Sequence, residues 1–255
     1  PAGAAAITAY LQTLANPFGA QVTIKLLETA SAPAGEKLGT YGVIKGAKSY
    51  LCAAVEKGGL ALEGLGYAFE ELVLYATSLG LGTCWLGGTF TRSGFAAAMG
   101  VAENQFFPAI CPIGTPAGKR GTEVVMRWAI GADRRKPWQE LFFSQRFGRP
   151  LTREEAGPFA PVLDLLRLAP SAENKQPWRV VQNGVIFHFY EENTLPAGKL
   201  GIDIQRVDLG IAACHFALAA RENGLAGQFE TLAPPPSVGA PESCHYRFSW
   251  AAQPA

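Results

Sequence analysis

The stretch that most limits what this chain can become is 65–90, LGYAFEELVLYATSLGLGTCWLGGTF. Leu65, Ala68, Phe69, Leu72, Val73, Ala76 and Leu79 recur at three- and four-residue steps, which predicts a helix with a buried apolar face. Gly80 and Gly82 stop it, as glycine does just past a helix C-terminus. Thr83-Cys84-Trp85-Leu86-Gly87-Gly88 then reads as a short apolar strand closing on a glycine pair. Glycine has no Cβ, so backbone N–H groups there can approach a flat ligand closely. A helix, its cap and a tight core strand account for the same pattern with no ligand at all.

The rest of the chain is mixed in the same way. Residues 4–15, 158–168 and 207–223 read as helices, and 137–143 opens another with proline at the favoured first position. Residues 21–27, 50–55 and 106–113 read as strands, and 227–232 and 246–251 as closing strands. Asn183-Gly184 between two apolar runs, 178–181 and 185–190, predicts a hairpin. The expected class is α+β.

A repeat is hidden in this order. An offset of 144 residues lays Leu209, Gly210, Ala212, Leu218, Ala220, Gly224 and Leu225 on Leu65, Gly66, Ala68, Leu74, Ala76, Gly80 and Leu81. Identical apolar positions can arise from helix composition, but a matched glycine at the helix end is less easily produced that way. The chain therefore reads as one α+β unit written twice, 1–143 and 144–255, packed together as a pseudo-dimer.

Apolar residues make up 48% and charged residues only 17%, below the usual quarter, so a large fraction should be buried. The formal net charge of +1 gives no electrostatic case for nucleic acid or for an anionic membrane surface. Five cysteines, scattered and odd in number, form no CxxC and have no histidine at ligand spacing. Neither a metal site nor a disulfide framework is indicated, and reduced thiols in a cytoplasm fit best. No apolar run reaches the roughly 18 residues of a membrane span. GTPAGK at 114–119 is one residue short of a P-loop, and no GxGxxG follows a strand. Glu70 and Glu71, adjacent on a helix, point different ways. His188, His215 and Cys84 read as structural.

The second informative stretch is 169–181, APSAENKQPWRVV. Together with TCWLGG it resembles the FMN-dependent nitroreductase family, in the branch that carries two family-like halves in one chain. The resemblance implies that a PSxxNxQPW loop and a CxxxG turn face the same flavin. The first half keeps the turn but reads ANPFGAQV where the loop should be, and the second keeps the loop but has lost the turn. One complete FMN site per chain is then expected, joining 84–88 to 170–174.

On that resemblance Ser171 and Asn174 meet the polar edge of the ring, Pro170 and Ala172 shape their loop, and Gly87 and Gly88 aim N–H groups at N5. Leu86 belongs to the same turn, and Trp85 either walls the flavin or fills core. Arg134 and Arg135 would reach the phosphate, to which guanidinium forks are suited; a solvated charge run is the alternative. An Asx-type turn ahead of a strand accounts equally for Ser171 and Asn174. The family's Arg-x-Ser-x-Arg segment is absent from this sequence and is expected upstream of Pro1.

The implied activity is an oxidoreductase in which NAD(P)H reduces FMN and a small-molecule nitro-aromatic, quinone or similar electron acceptor reoxidises it. No side-chain acid, base or metal is required, so no catalytic residue is named. A flavin- or ligand-binding protein without turnover and a structural partner domain are the rivals. A monomer is expected, with a homodimer as the other arrangement.

Overall fold

In β2 (Ser49–Glu56) six successive residues, Tyr50 to Val55, are buried, and a strand covered on both faces organises the sheet around it. Tyr50, Cys52 and Ala54 join Phe90, Phe95, Met99, Phe107 and Ile110 in a core cluster on one side. Alternation turns Leu51, Ala53 and Val55 to the other side, where helix α2 (Ala61–Ser78) packs on the strand. These observations come from a computed structural model, which describes residues 2–32, 37–116, 131–196 and 201–253. The chain divides into two compact units, Pro1–Ala129 and Ile130–Ala255.

In the first unit β1 (Val22–Glu28), β2, β3 (Gly82–Thr83) and β4 (Gln105–Gly114) form an antiparallel sheet in the order β1-β2-β4-β3. Helices α1 (Ala2–Leu11) and α3 (Arg92–Met99) complete it. The buried stripe of α2 is Leu62, Leu65, Phe69, Leu72 and Ala76, each large member contributing about 1.5–3 kcal/mol by leaving water. The helix starts four residues before the expected 65 because Ala61 and Leu62 extend that stripe. The segment 83–88 is not the continuous strand its sequence suggests. Only Gly82–Thr83 pairs along β4, and Leu86 makes a single bridge to Ile110. Helix α3 escapes a periodicity reading because only Phe95 and Met99, one turn apart, and Gly94 are buried in it.

The second unit holds β5 (Phe142–Ser144), β6 (Trp178–Asn183), β7 (Ile186–Glu192), β8 (Gly227–Glu230) and β9 (Cys244–Ala252), in the order β5-β6-β7-β9-β8. Its helices are α4 (Trp138–Leu141), α5 (Arg153–Ala156), α6 (Ala160–Arg167) and α7 (Ile204–Glu222). The helix expected over 137–143 is one turn only, because Phe142–Ser144 leaves it to pair in parallel with β6. That pairing ties 142–144 to the sheet of the second unit. In the core between α7 and the sheet Phe216 meets Phe189 and Trp250 edge-on and Phe187 at a tilt, while Phe248 stacks on Phe189.

Described separately, the two units share a plan. Strands β6-β7-β9-β8 repeat the order β1-β2-β4-β3, and α7 stands between β7 and β8 in sequence as α2 stands between β2 and β3. In each unit the last strand carries one extra residue against its central partner: between Phe106 and Ala109 of β4, and between Tyr246 and Phe248 of β9. Both long helices end in the same cap. Leu81 N–H donates to Ala76 O and Gly80 N–H to Thr77 O, while Leu225 N–H donates to Ala220 O and Gly224 N–H to Arg221 O. Gly80 and Gly224 take φ of 75° and 72°, the left-handed conformation that this Schellman cap requires. Among the described residues no helix is long and apolar enough to cross a membrane.

Candidate functional site

In the first unit the polypeptide leaves β3 at Thr83, detours through Cys84 and Trp85, and is pinned again at Leu86. There Leu86 N–H donates to Ile110 O at 2.9 Å and Ile110 N–H returns the bond at 3.1 Å. Trp85 is half-buried, its Nε1–H donating to the buried Glu70 carboxylate at 2.8 Å and its ring meeting Phe69 edge-on. Glu71 goes elsewhere, accepting from the Tyr10 hydroxyl at 3.1 Å. Cys84 is half-buried, not fully enclosed as its sequence suggests, and packs against the core cluster. Past the bridge, Gly87 and Gly88 are exposed, and among the described residues neither N–H has a hydrogen-bond partner. The space where a Gly88 side chain would begin is open.

Behind this turn stands Arg92, the first residue of α3. Its guanidinium donates to Gly87 O at 2.7 Å, to Pro108 O at 3.3 Å and to Phe107 O, and lies 4.6 Å from the centre of the Phe90 ring. Burial lowers its pKa from the ordinary arginine value.

In the second unit the loop after α6 is unusually constrained. Glu173, Asn174 and Gln176 have φ of 50°, 54° and 48°, a region that asparagine tolerates but glutamate and glutamine rarely adopt. Such residues cost about 1–3 kcal/mol each and persist only where their surroundings hold them. The holding contacts are specific. Ala172 N–H donates to both oxygens of Asp208, at 3.0 and 3.1 Å, and Ser171 Oγ accepts from Gln176 N–H at 2.9 Å. Asp208 is buried in α7, and burial pushes its carboxyl well above the usual range, opposed by the Ala172 N–H. Asn174 Nδ2 donates to Gly131 O at 2.6 Å and Arg134 O at 2.9 Å, while its Oδ1 accepts from Gln176 Nε2 at 3.2 Å. Gln176 Oε1 accepts from Lys136 N–H at 2.8 Å.

The loop and the basic segment are thus stitched together. Arg135 Nη1 reaches Asn174 Oδ1 at 3.4 Å and Ala132 O at 2.9 Å, and Nη2 reaches Leu168 O at 3.1 Å. Arg134 projects an exposed side chain that makes no hydrogen bond or ion pair among the described residues. Pro170, Ser171 and Ala172 are half-buried. So the unit brings Pro170, Ser171, Ala172, Asn174, Arg134 and Arg135 together, while Trp85, Leu86, Gly87 and Gly88 form their own group in the other unit. Glu70, Arg92 and Asp208 were not foreseen as functional. Only Asp208, an acid within an apolar helical run, carried any signal, and Gln176 stood unweighted inside the loop motif. His188, enclosed and bonded to Ser249 Oγ at 2.8 Å, is structural.

Taken unit by unit, the groups fit a flavin in part: the exposed amide donors of the first unit's turn suit a ring edge and the exposed Arg134 guanidinium of the second suits a phosphate, whereas the Asn174 amide is already used within its unit. A sequence model of the family described as "Putative TM nitroreductase" matches residues 4–220. The chain belongs to this nitroreductase family. The match takes in the turn, the basic segment, the loop and nearly all of α7. Among solved structures, a Thermotoga maritima "putative nitroreductase" resembles this chain in fold, with a TM-score of 0.61 at 20% identity over 98% of this chain and 84% of that one. Nitroreductase family proteins of Clostridium difficile and Clostridium novyi match at 13% and 17% identity, with TM-scores of 0.37 and 0.34. They cover 55% and 59% of this chain, and 83% and 85% of their own. No curated protein matches.

Proposed function

We propose that this nitroreductase-family chain binds one FMN and works as an NAD(P)H oxidoreductase on nitro-aromatic, quinone or similar acceptors. The observation that carries the reading is the Gly87–Gly88 turn, where two exposed N–H groups lack a partner among the described residues. When bound, the flavin supplies the electron transfer between nicotinamide and acceptor. The protein's part is binding, orientation and a fixed field.

Gly87 and Gly88 would donate to the polar edge of the ring, with Leu86 pinning the turn and Glu70 fixing Trp85 beside it. Ser171, already accepting from Gln176, keeps its own O–H to donate. Pro170, Ala172 and Asn174 hold the loop in shape, Asn174 by gripping the carbonyls that precede Arg134 and Arg135 and lie between them. Arg134 offers the accessible guanidinium for the phosphate, and Arg135 braces it.

We also read the two units as copies of one α+β element. The shared strand order, extra residue and helix cap support this. Asp208 corresponds to Gly64 at the offset of 144 residues. In the second unit Asp208 anchors the loop; in the first, Asn16 binds its own loop instead, accepting from Phe18 and Ala20 N–H groups at 3.1 Å. Each copy has kept a different flavin element, so one flavin per chain is expected. Five free cysteines suit a cytoplasmic protein.

The test is an absorption spectrum during FMN titration, followed by anaerobic addition of NADPH or NADH. One flavin per chain, bleached by the nicotinamide, supports the reading. A yellow protein that is not bleached is a binding protein without turnover, and a protein that stays colourless refutes the proposal. Two equivalent flavins per chain would remove the argument from divergent copies.

A further inference from the structure

Arg92 is a cation surrounded by backbone carbonyls. Its three hydrogen-bond acceptors, Gly87 O, Phe107 O and Pro108 O, are all main-chain oxygens, and among the described residues no carboxylate pairs with it. Two of the three are available for a reason. β4 carries its extra residue at this point, since Val55 pairs with Phe106 but Ala53 with Ala109, so Phe107 and Pro108 fall outside the ladder. An irregular strand has therefore turned two carbonyls toward α3, and the guanidinium that satisfies them also reaches the turn.

The contact with Gly87 has a chemical consequence. In a trans peptide the C=O and the next N–H point in opposite directions, and the only cis bond among the described residues is Ala233–Pro234. With Gly87 O held by Arg92, the Gly88 N–H on the same peptide points away from it. That N–H is exposed and has no partner among the described residues. A charged donor on the carbonyl end polarises the peptide and strengthens the N–H at the other end. We propose that Arg92 is a positioning residue for the bound flavin: it fixes and polarises the Gly87–Gly88 peptide so that Gly88 N–H stabilises negative charge developing on the ring. This rests on the flavin reading above, and it assigns the control of redox potential to a residue that touches only protein. A preorganised donor of this kind favours the more negative form of what it faces.

The experiment measures the midpoint potential of FMN bound to the full chain, by equilibration with a reference dye, together with the affinity for oxidised FMN and the melting temperature. Arg92→Gln keeps an N–H donor but removes the charge. It is expected to lower the preference for reduced over oxidised FMN about tenfold, a shift of about 30 mV for a two-electron couple. Arg92→Lys should recover most of that shift. Lys57→Met, which removes a lysine lying over Phe106 elsewhere in the same unit, should leave the potential unchanged. An Arg92→Gln protein with the wild-type potential overturns the proposal, as do equal shifts in the Gln and Lys variants, which would mark a merely structural residue. Should Arg92→Gln not fold, Gly88→Pro removes the N–H itself, and a wild-type potential there overturns the proposal. A wild-type chain that binds no flavin fails at the earlier reading, which separates the two failures.

Discussion

Replacing Asn174 by alanine removes the side chain that joins the loop to the basic segment and leaves a left-handed residue without the group that makes it tolerable. Two short bonds vanish, to Gly131 O at 2.6 Å and Arg134 O at 2.9 Å. At a net 0.5–1.5 kcal/mol each they account for about 1–3 kcal/mol. The contacts of Oδ1 with Gln176 and Arg135, at 3.2 and 3.4 Å, add little at those lengths. Alanine at a φ of 54° adds about 1 kcal/mol more. The total, about 2–4 kcal/mol, should lower the melting temperature by about 5–15 °C. Asn174→Gly separates the two parts, because glycine adopts that φ freely and loses only the bonds. The order of stability should be wild type, then Gly, then Ala. FMN titration followed by flavin fluorescence should show weakening by about tenfold to a hundredfold in Asn174→Ala, the affinity equivalent of about 1.4–2.8 kcal/mol. His215→Ala should leave flavin affinity nearly unchanged. Equal melting temperatures for the Gly and Ala variants would refute the strain argument. An Ala variant that melts with the wild type would refute the bond argument, and unchanged FMN affinity would take the loop out of the site.

Gly64→Ala should destabilise the first unit by up to about 2 kcal/mol in urea unfolding. The added Cβ would lie 2.4 Å from Ala20 Cβ and 2.8 Å from Asn16 Oδ1, and overpacking of about 1–3 kcal/mol outweighs a helix-propensity gain of about 1 kcal/mol; a stabilised variant would sink this. Brief alkylation of the native protein, read by peptide mass, should label Cys84 ahead of Cys52, Cys111, Cys214 and Cys244, all of which are buried; prior labelling of any of those four counts against the fold. Burial pushes the Glu191 carboxyl up to about 7, opposed by Arg247 and supported by Asp203. Its folded value therefore lies above the ordinary 4.5, so the folded state binds more protons than the unfolded state between those two values. Stability should fall as pH rises from about 4.5 to 7 and level off above, and Glu191→Gln should flatten that slope; a slope of opposite sign or an unchanged one in the variant contradicts the assignment.

The long helices were legible in the sequence because their stripes are regular: Leu65, Phe69, Leu72 and Ala76 declare α2 without reference to any partner. The matched glycines at 80 and 224 were legible for the same local reason, since the cap lies within six residues of chain. Where a partner decides, local reading failed. Phe142 and Phe143 continue a helical pattern by sequence, but an open edge of β6 draws them into a strand. Thr83 to Leu86 has the composition of a strand, yet only its ends find the ladder. The loop 170–174 was legible because its residue types are rare in combination, whereas what holds it is remote: Asp208 lies 36 residues from Ala172. Arg92 gave no sign at all. Its acceptors are carbonyls, and a carbonyl has no letter in a sequence.

Each sheet draws every one of its strands from a single continuous part of the chain, and this has a bearing on how the protein is made. The second unit comprises residues 130–255, which a ribosome adding about 5–20 residues per second needs about 6–25 seconds to deliver. Sheets of non-local strands close in milliseconds to seconds. The first sheet thus has all of its strands in hand, and time to pair them, before the last strand of the second has been synthesised. Each unit can find its register without competition from the similar strand order of the other.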